Sequence, residues 1–182
     1  GRENRYGEPV PDDIHTLVSM LGEELQPLLD RPLAVFGHSM GALIAYELAV
    51  QWMKNGSAIP HHLFLSGCLP PHRLQCRKRR FEAEDEELLD LLKAYNGTDP
   101  VLLRNEEFVE FIVPVFRRDL QLVDSFVPNP AQPPLPCPIT VYSGNEDPFV
   151  SPKQLLEWEA YTDRGFHFQL FEGDHFYLWD RQ

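Results

Sequence analysis

Positive charge is what this sequence has least of. Sixteen Lys and Arg residues stand against 28 Asp and Glu, for a net charge of −12 with His neutral. Phosphate backbones and anionic lipid surfaces are gripped by Lys and Arg, so the balance argues against nucleic acid and against membranes as partners. Cysteine is also scarce. Cys68, Cys76 and Cys137 form no CxxC pair, and the count is odd. This argues against a disulfide framework and against a zinc site, and it suits a reducing compartment, hence a cytoplasmic location. Cys76 adjoins Arg77-Lys78-Arg79-Arg80, whose charges favour a thiolate; the plainer reading is an ordinary surface thiol. Long apolar runs are missing as well. The stretch from Phe108 to Phe116 is broken by Glu110 and Pro114, and nothing approaches the ~20 apolar residues that cross a bilayer. The chain opens on Gly1 and stops at Gln182, just after an apolar run. Both ends therefore read as cut, and the lack of a leader carries no weight.

What is present is enough for one sizeable core: 182 residues, 43% of hydrophobic type, which makes one domain the default. Ile14, Leu17, Val18, Leu21, Leu25 and Leu28 recur at helical spacing, predicting a helix from Asp12-Asp13 to about Leu29. Leu33 to Phe36 reads as a buried strand, Met40 to about Asn55 as a helix, and Leu63 to Leu65 as a second buried strand. Ile139 to Tyr142 is a third strand. Ser151-Pro152 opens a helix to about Tyr161, because Ser at N-cap and Pro at N1 suit a helix start. Phe166 to Phe171 alternates as a fourth strand, and a last helix is expected near Phe176. Strands alternating with helices imply an α/β fold with a mostly parallel sheet flanked by helices on both faces. Between the second and third strands the character changes. A basic run is followed by an acidic one, then by helical stretches at about Asp85 to Tyr95 and Glu106 to Val123, then by a proline-rich connector. Residues 70–136 are read as a helical insertion and connector, and 1–69 with 137–182 as the core that carries it.

Gly37-His38-Ser39-Met40-Gly41 matches G-x-S-x-G, with a strand before it and a helix after it. That turn strains Ser39 and projects its hydroxyl, with glycines on either side letting the chains pass closely. It also aims the Met40 backbone N–H at the same spot, where an oxyanion would form. His38 adjoins Ser39, but neighbours in a tight turn point apart, so a packing or hydrogen-bonding role suits it better than that of a base. A serine needs a base, and in α/β-hydrolases the order along the chain is Ser, acid, His. Of seven histidines, only His175 follows the last strand. His167 lies within that strand, and His15 is read as a surface residue. Asp147, after the third strand, is the orienting acid, with Glu146 the runner-up and Asp174 a weaker alternative.

The chain resembles the type II thioesterases of polyketide and non-ribosomal peptide synthesis, together with the medium-chain thioesterases of fatty acid synthesis. The matching stretches are Gly1-Arg2-Glu3-Asn4-Arg5 with Glu8-Pro9, Phe36 to Ala42 with Ala45-Tyr46-Glu47-Leu48-Ala49, Leu65-Ser66-Gly67, Gly97-Thr98 with Pro100, Pro138-Ile139-Thr140 with Gly144 and Asp147-Pro148, and Gly173-Asp174-His175-Phe176-Tyr177-Leu178. The resemblance implies an α/β-hydrolase with a helical lid, with Ser39 as nucleophile, Asp147 as acid and His175 as base. It implies a substrate on the phosphopantetheine arm of an acyl or peptidyl carrier protein, and no metal or organic cofactor. It also implies that the first strands, and a His-Ala-Gly-Gly-like turn giving a second oxyanion donor, lie upstream of Gly1. These 182 residues alone are then expected to lack part of the sheet and to be inactive.

Within the insertion, Leu88, Leu92, Phe108, Phe111, Ile112 and Val115 lie at helical spacing; most are read as lid core and about one in three as facing an acyl chain, with Phe108, Phe111, Ile112 and Val115 the candidates. Arg73, Arg77, Lys78, Arg79 and Arg80 either form a docking patch for an acidic carrier or a solvated loop that answers the adjacent acidic run; both readings stay open. A carboxylesterase or lipase, an acyltransferase, and an inactive hydrolase-like binding module are the competing functions.

Overall fold

The computed structural model describes residues 5, 8–74 and 79–179. Four strands form one sheet in the order β1-β2-β3-β4, every pair parallel. They are β1 (Ala34–His38), β2 (His62–Ser66), β3 (Ile139–Gly144) and β4 (Phe166–Phe171). Parallel neighbours need a crossover, and helices supply it: α2 (Met40–Lys54) between β1 and β2, and α6 (Pro152–Leu156) between β3 and β4. Ahead of the sheet lies α1 (Ile14–Leu25). Asp13 caps it by accepting from the Thr16 N–H at 2.9 Å. The helix stops earlier than its periodicity suggests, because Pro27 has no N–H to offer and the chain tightens to 3₁₀ over Gln26–Leu28. The Ser151 cap is a full capping box with Gln154, and α6 likewise tightens to 3₁₀ over Glu157–Tyr161.

The core lies on one face of the sheet. Leu63, Leu65, Ile139 and Val141 are fully buried there against Ala42, Leu43 and Ala49 of α2, and Trp158 closes the far side. Burying each such aliphatic side chain stabilises the fold by about 1.5–3 kcal/mol. Among the described residues β1 pairs with β2 alone, and Ala34 and Phe36 are exposed. Among the described residues no helix seals the face bearing Phe36, Phe64 and Tyr142. Phe36 is 53% exposed, while Phe64 and Tyr142 stack on each other at 6.1 Å and stay half-buried. The expected helix near Phe176 is also absent among the described residues, where the chain makes turns instead.

Between β2 and β3 the described chain is helical, with α3 (Pro71–Leu74), α4 (Asp85–Tyr95) and α5 (Glu106–Asp124). Helices α4 and α5 share a small core of their own from Leu88, Leu92, Val113 and Leu120. Asn105 caps α5 by accepting from the Phe108 N–H at 3.0 Å. Among the described residues, no helix is long and apolar enough to cross a membrane.

Candidate active site

Three strand ends deliver three side chains to one point, at the carboxyl edge where parallel sheets place their sites. Ser39 links β1 to α2 with φ 54° and ψ −120°, a conformation that costs a non-glycine residue energy and that the surrounding packing must enforce. Its N–H donates to the Ser66 carbonyl at 2.8 Å, tying the elbow to β2. Gly37 makes the turn possible: a Cβ there would lie 2.1 Å from the Gly41 carbonyl oxygen. Gly41 has no such duty, since a Cβ on it would meet no heavy atom within 4 Å. Only one of the two glycines is needed for close approach.

His175 follows β4, and its Nε2 lies 3.0 Å from Ser39 Oγ. Its Nδ1 lies 2.7 Å from Asp147 Oδ2. The other carboxylate oxygen of Asp147 accepts from the Phe149 N–H at 2.9 Å. The carboxylate is thus fully engaged, in a pair whose side chains are 2% and 0% exposed. The loops carrying acid and imidazole are stitched together: the Asn145 N–H donates to the Phe171 carbonyl and the Glu146 N–H to that of Gly173. Gly144 lets them touch, because a Cβ on it would sit 2.1 Å from the Asp174 carbonyl oxygen. Glu146, the alternative acid, contributes its backbone here. Asp174 turns to Asn96 and to the Phe176 N–H.

His38 does not serve Ser39. Its Nδ1 lies 2.9 Å from Ser66 Oγ, which lies 2.7 Å from the buried Tyr177 hydroxyl. Its ring packs 4.8 Å from that of His175. Burial, reinforced by the charge of His175, pulls the His38 pKa down from 6.5 to about 4. The ring therefore stays neutral beside the imidazole of His175. Gly67, with φ 60°, leaves room for both rings; a Cβ would come within 2.9 Å of His38 and 3.2 Å of His175.

A cavity of about 300 Å³ opens on Ser39, Met40 and His175. Its wall from the insertion is Leu92, Tyr95, Phe116, Leu120 and Val123, with Asp119 among them. Phe108, Phe111, Ile112 and Val115 are not in that wall. Ile112 joins the core between α4 and α5, and Phe111 is 47% exposed. Of the six residues at helical spacing Leu92 lines the cavity, and Leu88 and Ile112 are lid core; α5 contributes to the wall through its C-terminal half, Phe116 to Val123.

The basic cluster divides. Arg77 and Lys78, with Cys76, lie outside the described residues. Arg73 forms a two-pronged pair with Glu157 at 2.6 and 2.7 Å, and Arg79 reaches Glu82 at 2.7 Å. Arg80 is turned inward. It pairs with Asp124, which is 3% exposed, donates to the Tyr95 hydroxyl at 3.3 Å and lines the cavity. It is a structural ion, not a surface charge. Among the described residues, no group of three or more His, Cys, Asp or Glu is placed to hold a metal.

An α/β fold with serine, imidazole and carboxylate aligned at the sheet's carboxyl edge defines an α/β-hydrolase. The Thioesterase domain family model matches residues 1–182. The gramicidin S biosynthesis protein GrsT of Aneurinibacillus migulanus is 35% identical over 181 residues, which are 99% of this chain and 70% of GrsT. The human S-acyl fatty acid synthase thioesterase, medium chain, is 35% identical over 184 residues, covering 99% of this chain and 68% of that protein. The RedJ thioesterase of the Streptomyces coelicolor prodiginine pathway superimposes with a TM-score of 0.90 at 33% identity, over 97% of this chain and 69% of RedJ. The chain belongs to the thioesterase family, a family of enzymes.

Proposed function

We propose that this protein hydrolyses acyl thioesters borne on the phosphopantetheine arm of acyl or peptidyl carrier proteins, in the editing or chain-release steps of peptide, polyketide or fatty acid assembly. The observation that carries this reading is the continuous contact from Asp147 through His175 to Ser39, opening onto an apolar cavity. Ser39 Oγ attacks the thioester carbonyl as His175 Nε2 takes its proton. Asp147 holds the imidazole tautomer and stabilises the imidazolium. The Met40 N–H, at the first position of α2 and so without a partner in its own helix, stabilises the oxyanion. The imidazolium then protonates the leaving thiol. Water, deprotonated by the same His175, attacks the acyl-serine and releases the free acid. The relatives named for gramicidin S biosynthesis and for fatty acid synthase favour a carrier-bound substrate over a free ester. Residues 70–136 act as a lid: α4 and α5 wall the cavity and cover the serine.

The test is a carrier protein loaded with an acetyl or octanoyl phosphopantetheine thioester, incubated with the whole protein (these residues together with any that precede or follow them) or its Ser39→Ala variant and followed by intact-protein mass spectrometry. The expected result is loss of the acyl mass with the protein and none with Ser39→Ala. Cleavage of oxygen esters with carrier thioesters left intact would point to a carboxylesterase. Transfer of the acyl group to an added alcohol or amine would point to an acyltransferase.

A further inference from the structure

The Gly97-Thr98 stretch has no role in the chemistry above, yet it stands beside the base. Tyr95, the last residue of α4, its cap Asn96 and the following Gly97 each engage His175 or the loop that carries it. Tyr95 packs its ring edge-on to the imidazole at 4.8 Å and stacks on Phe149 at 3.9 Å. Its hydroxyl also accepts from Arg80 at 3.3 Å, but the contacts to His175 and Phe149 are made by the ring. Asn96 is left-handed, with φ 55° and ψ 25°. From that conformation its Nδ2 donates to Asp174 Oδ2 at 2.6 Å. The second oxygen of Asp174 accepts from the Phe176 N–H at 2.7 Å, so one carboxylate spans His175 and Asn96 steadies it. At Gly97 the Phe176 ring fills the space where a Cβ would be, 2.2 Å away. A helix cap that existed only to end α4 would need none of these three contacts.

We infer that Tyr95 and Asn96 are positioning residues for His175: the end of α4 is a latch that holds the base aligned on Ser39, so the insertion sets the rate of the chemical step as well as the shape of the acyl pocket. This rests on the reading of His175 as base. An unlatched loop lets the imidazole drift, and a misplacement of ~1 Å at a reacting group costs ~10²-fold in rate. The contacts lie beside the imidazole and do not depend on the acyl chain, so the effect is the same for short and long acyl groups.

The test compares Tyr95→Ala, Asn96→Gly and Tyr95→Phe, each checked for a cooperative thermal transition. Asn96→Gly keeps the left-handed turn available and removes only the side-chain hydrogen bond. Two readouts are taken: kcat and KM on acetyl and octanoyl N-acetylcysteamine thioesters, and the rate at which a fluorophosphonate labels Ser39. The latch predicts that Tyr95→Ala and Asn96→Gly lose ~10–100-fold in kcat on both thioesters and a similar factor in labelling. It predicts acetyl KM within about two-fold of the parent and recovery of most of the rate in Tyr95→Phe. Loss confined to octanoyl KM, with acetyl turnover and labelling unchanged, would make these residues pocket lining and overturn the inference. A protein that labels at Ser39 but cleaves no thioester would overturn the substrate reading alone, and the labelling rates of the variants would still decide the latch.

Discussion

Substituting Ala at Gly37 and at Gly41 separates the two glycines of the elbow. At Gly37 the new Cβ would meet the Gly41 oxygen at 2.1 Å, the Gly41 carbonyl carbon at 2.4 Å and the Ala42 nitrogen at 2.6 Å. All three are backbone atoms of the first turn of α2, so no side chain can yield. Relief requires β1 and α2 to separate by roughly 1 Å. Overpacking of this kind costs about 1–3 kcal/mol, which for a chain of this size lowers Tm by about 2–12 °C. The same ~1 Å falls on Ser39, between the two elements, and should cost ~10²-fold in turnover. Gly41→Ala meets nothing within 4 Å and lies inside a helix, where Ala is favoured by up to ~1 kcal/mol. Its Tm should stay level or rise. Thermal unfolding and thioester turnover on both variants make the comparison. A parental Tm and rate for Gly37→Ala, or equal damage from Gly41→Ala, would refute the close-approach reasoning.

Asp147→Asn keeps the volume of a buried residue but removes its charge, and should lower kcat by ~10⁴-fold while Tm moves little; a loss under ten-fold, measured in steady state, would deny Asp147 its orienting role. His38 has its pKa depressed from 6.5 to about 4 by burial, so below pH 6.5 the unfolded chain binds a proton that the folded one refuses. Its contribution to stability is therefore present above pH 6.5 and is lost as pH falls toward 4. A Tm series across that window should slope less steeply for His38→Gln than for the parent, and parallel slopes would contradict this. Arg80→Met removes the counter-charge of the buried Asp124 carboxylate, which keeps the backbone N–H groups of residues 80 and 81, and should cost up to ~3–5 kcal/mol. Adding Asp124→Asn should restore part of the lost Tm, and simple additivity of the two losses would show that the pair is not coupled.

That Ser39, Asp147 and His175 meet was legible because each combines a residue type with a strand end, and the order of the three along the chain removes most alternatives. Ser39, Asp147 and His175 could be chosen without knowing any contact between them. The four strands and the two long insertion helices were legible from periodicity. What periodicity does not carry is position across the fold. The spacing of Phe108, Phe111, Ile112 and Val115 marks a helix face, but not which half of a 19-residue helix lies over the serine. Arg80 looked solvated within a basic run because its partner, Asp124, lies 44 residues away. The link from Asn96 to Asp174 spans 78 residues. Its only trace in the sequence was a Gly97-Thr98 stretch that the family resemblance marked without a role.

The most direct test of the account looks for the acyl group on Ser39 itself. Octanoyl carrier protein is mixed with the whole protein, including any residues that precede or follow these 182, quenched in acid within milliseconds to seconds, and the peptide containing Ser39 is examined by mass spectrometry. The account predicts that this peptide gains the octanoyl mass and then loses it as free octanoate appears, and that Ser39→Ala forms neither. Release of octanoate without any acylated Ser39, or at an undiminished rate in Ser39→Ala, would contradict it.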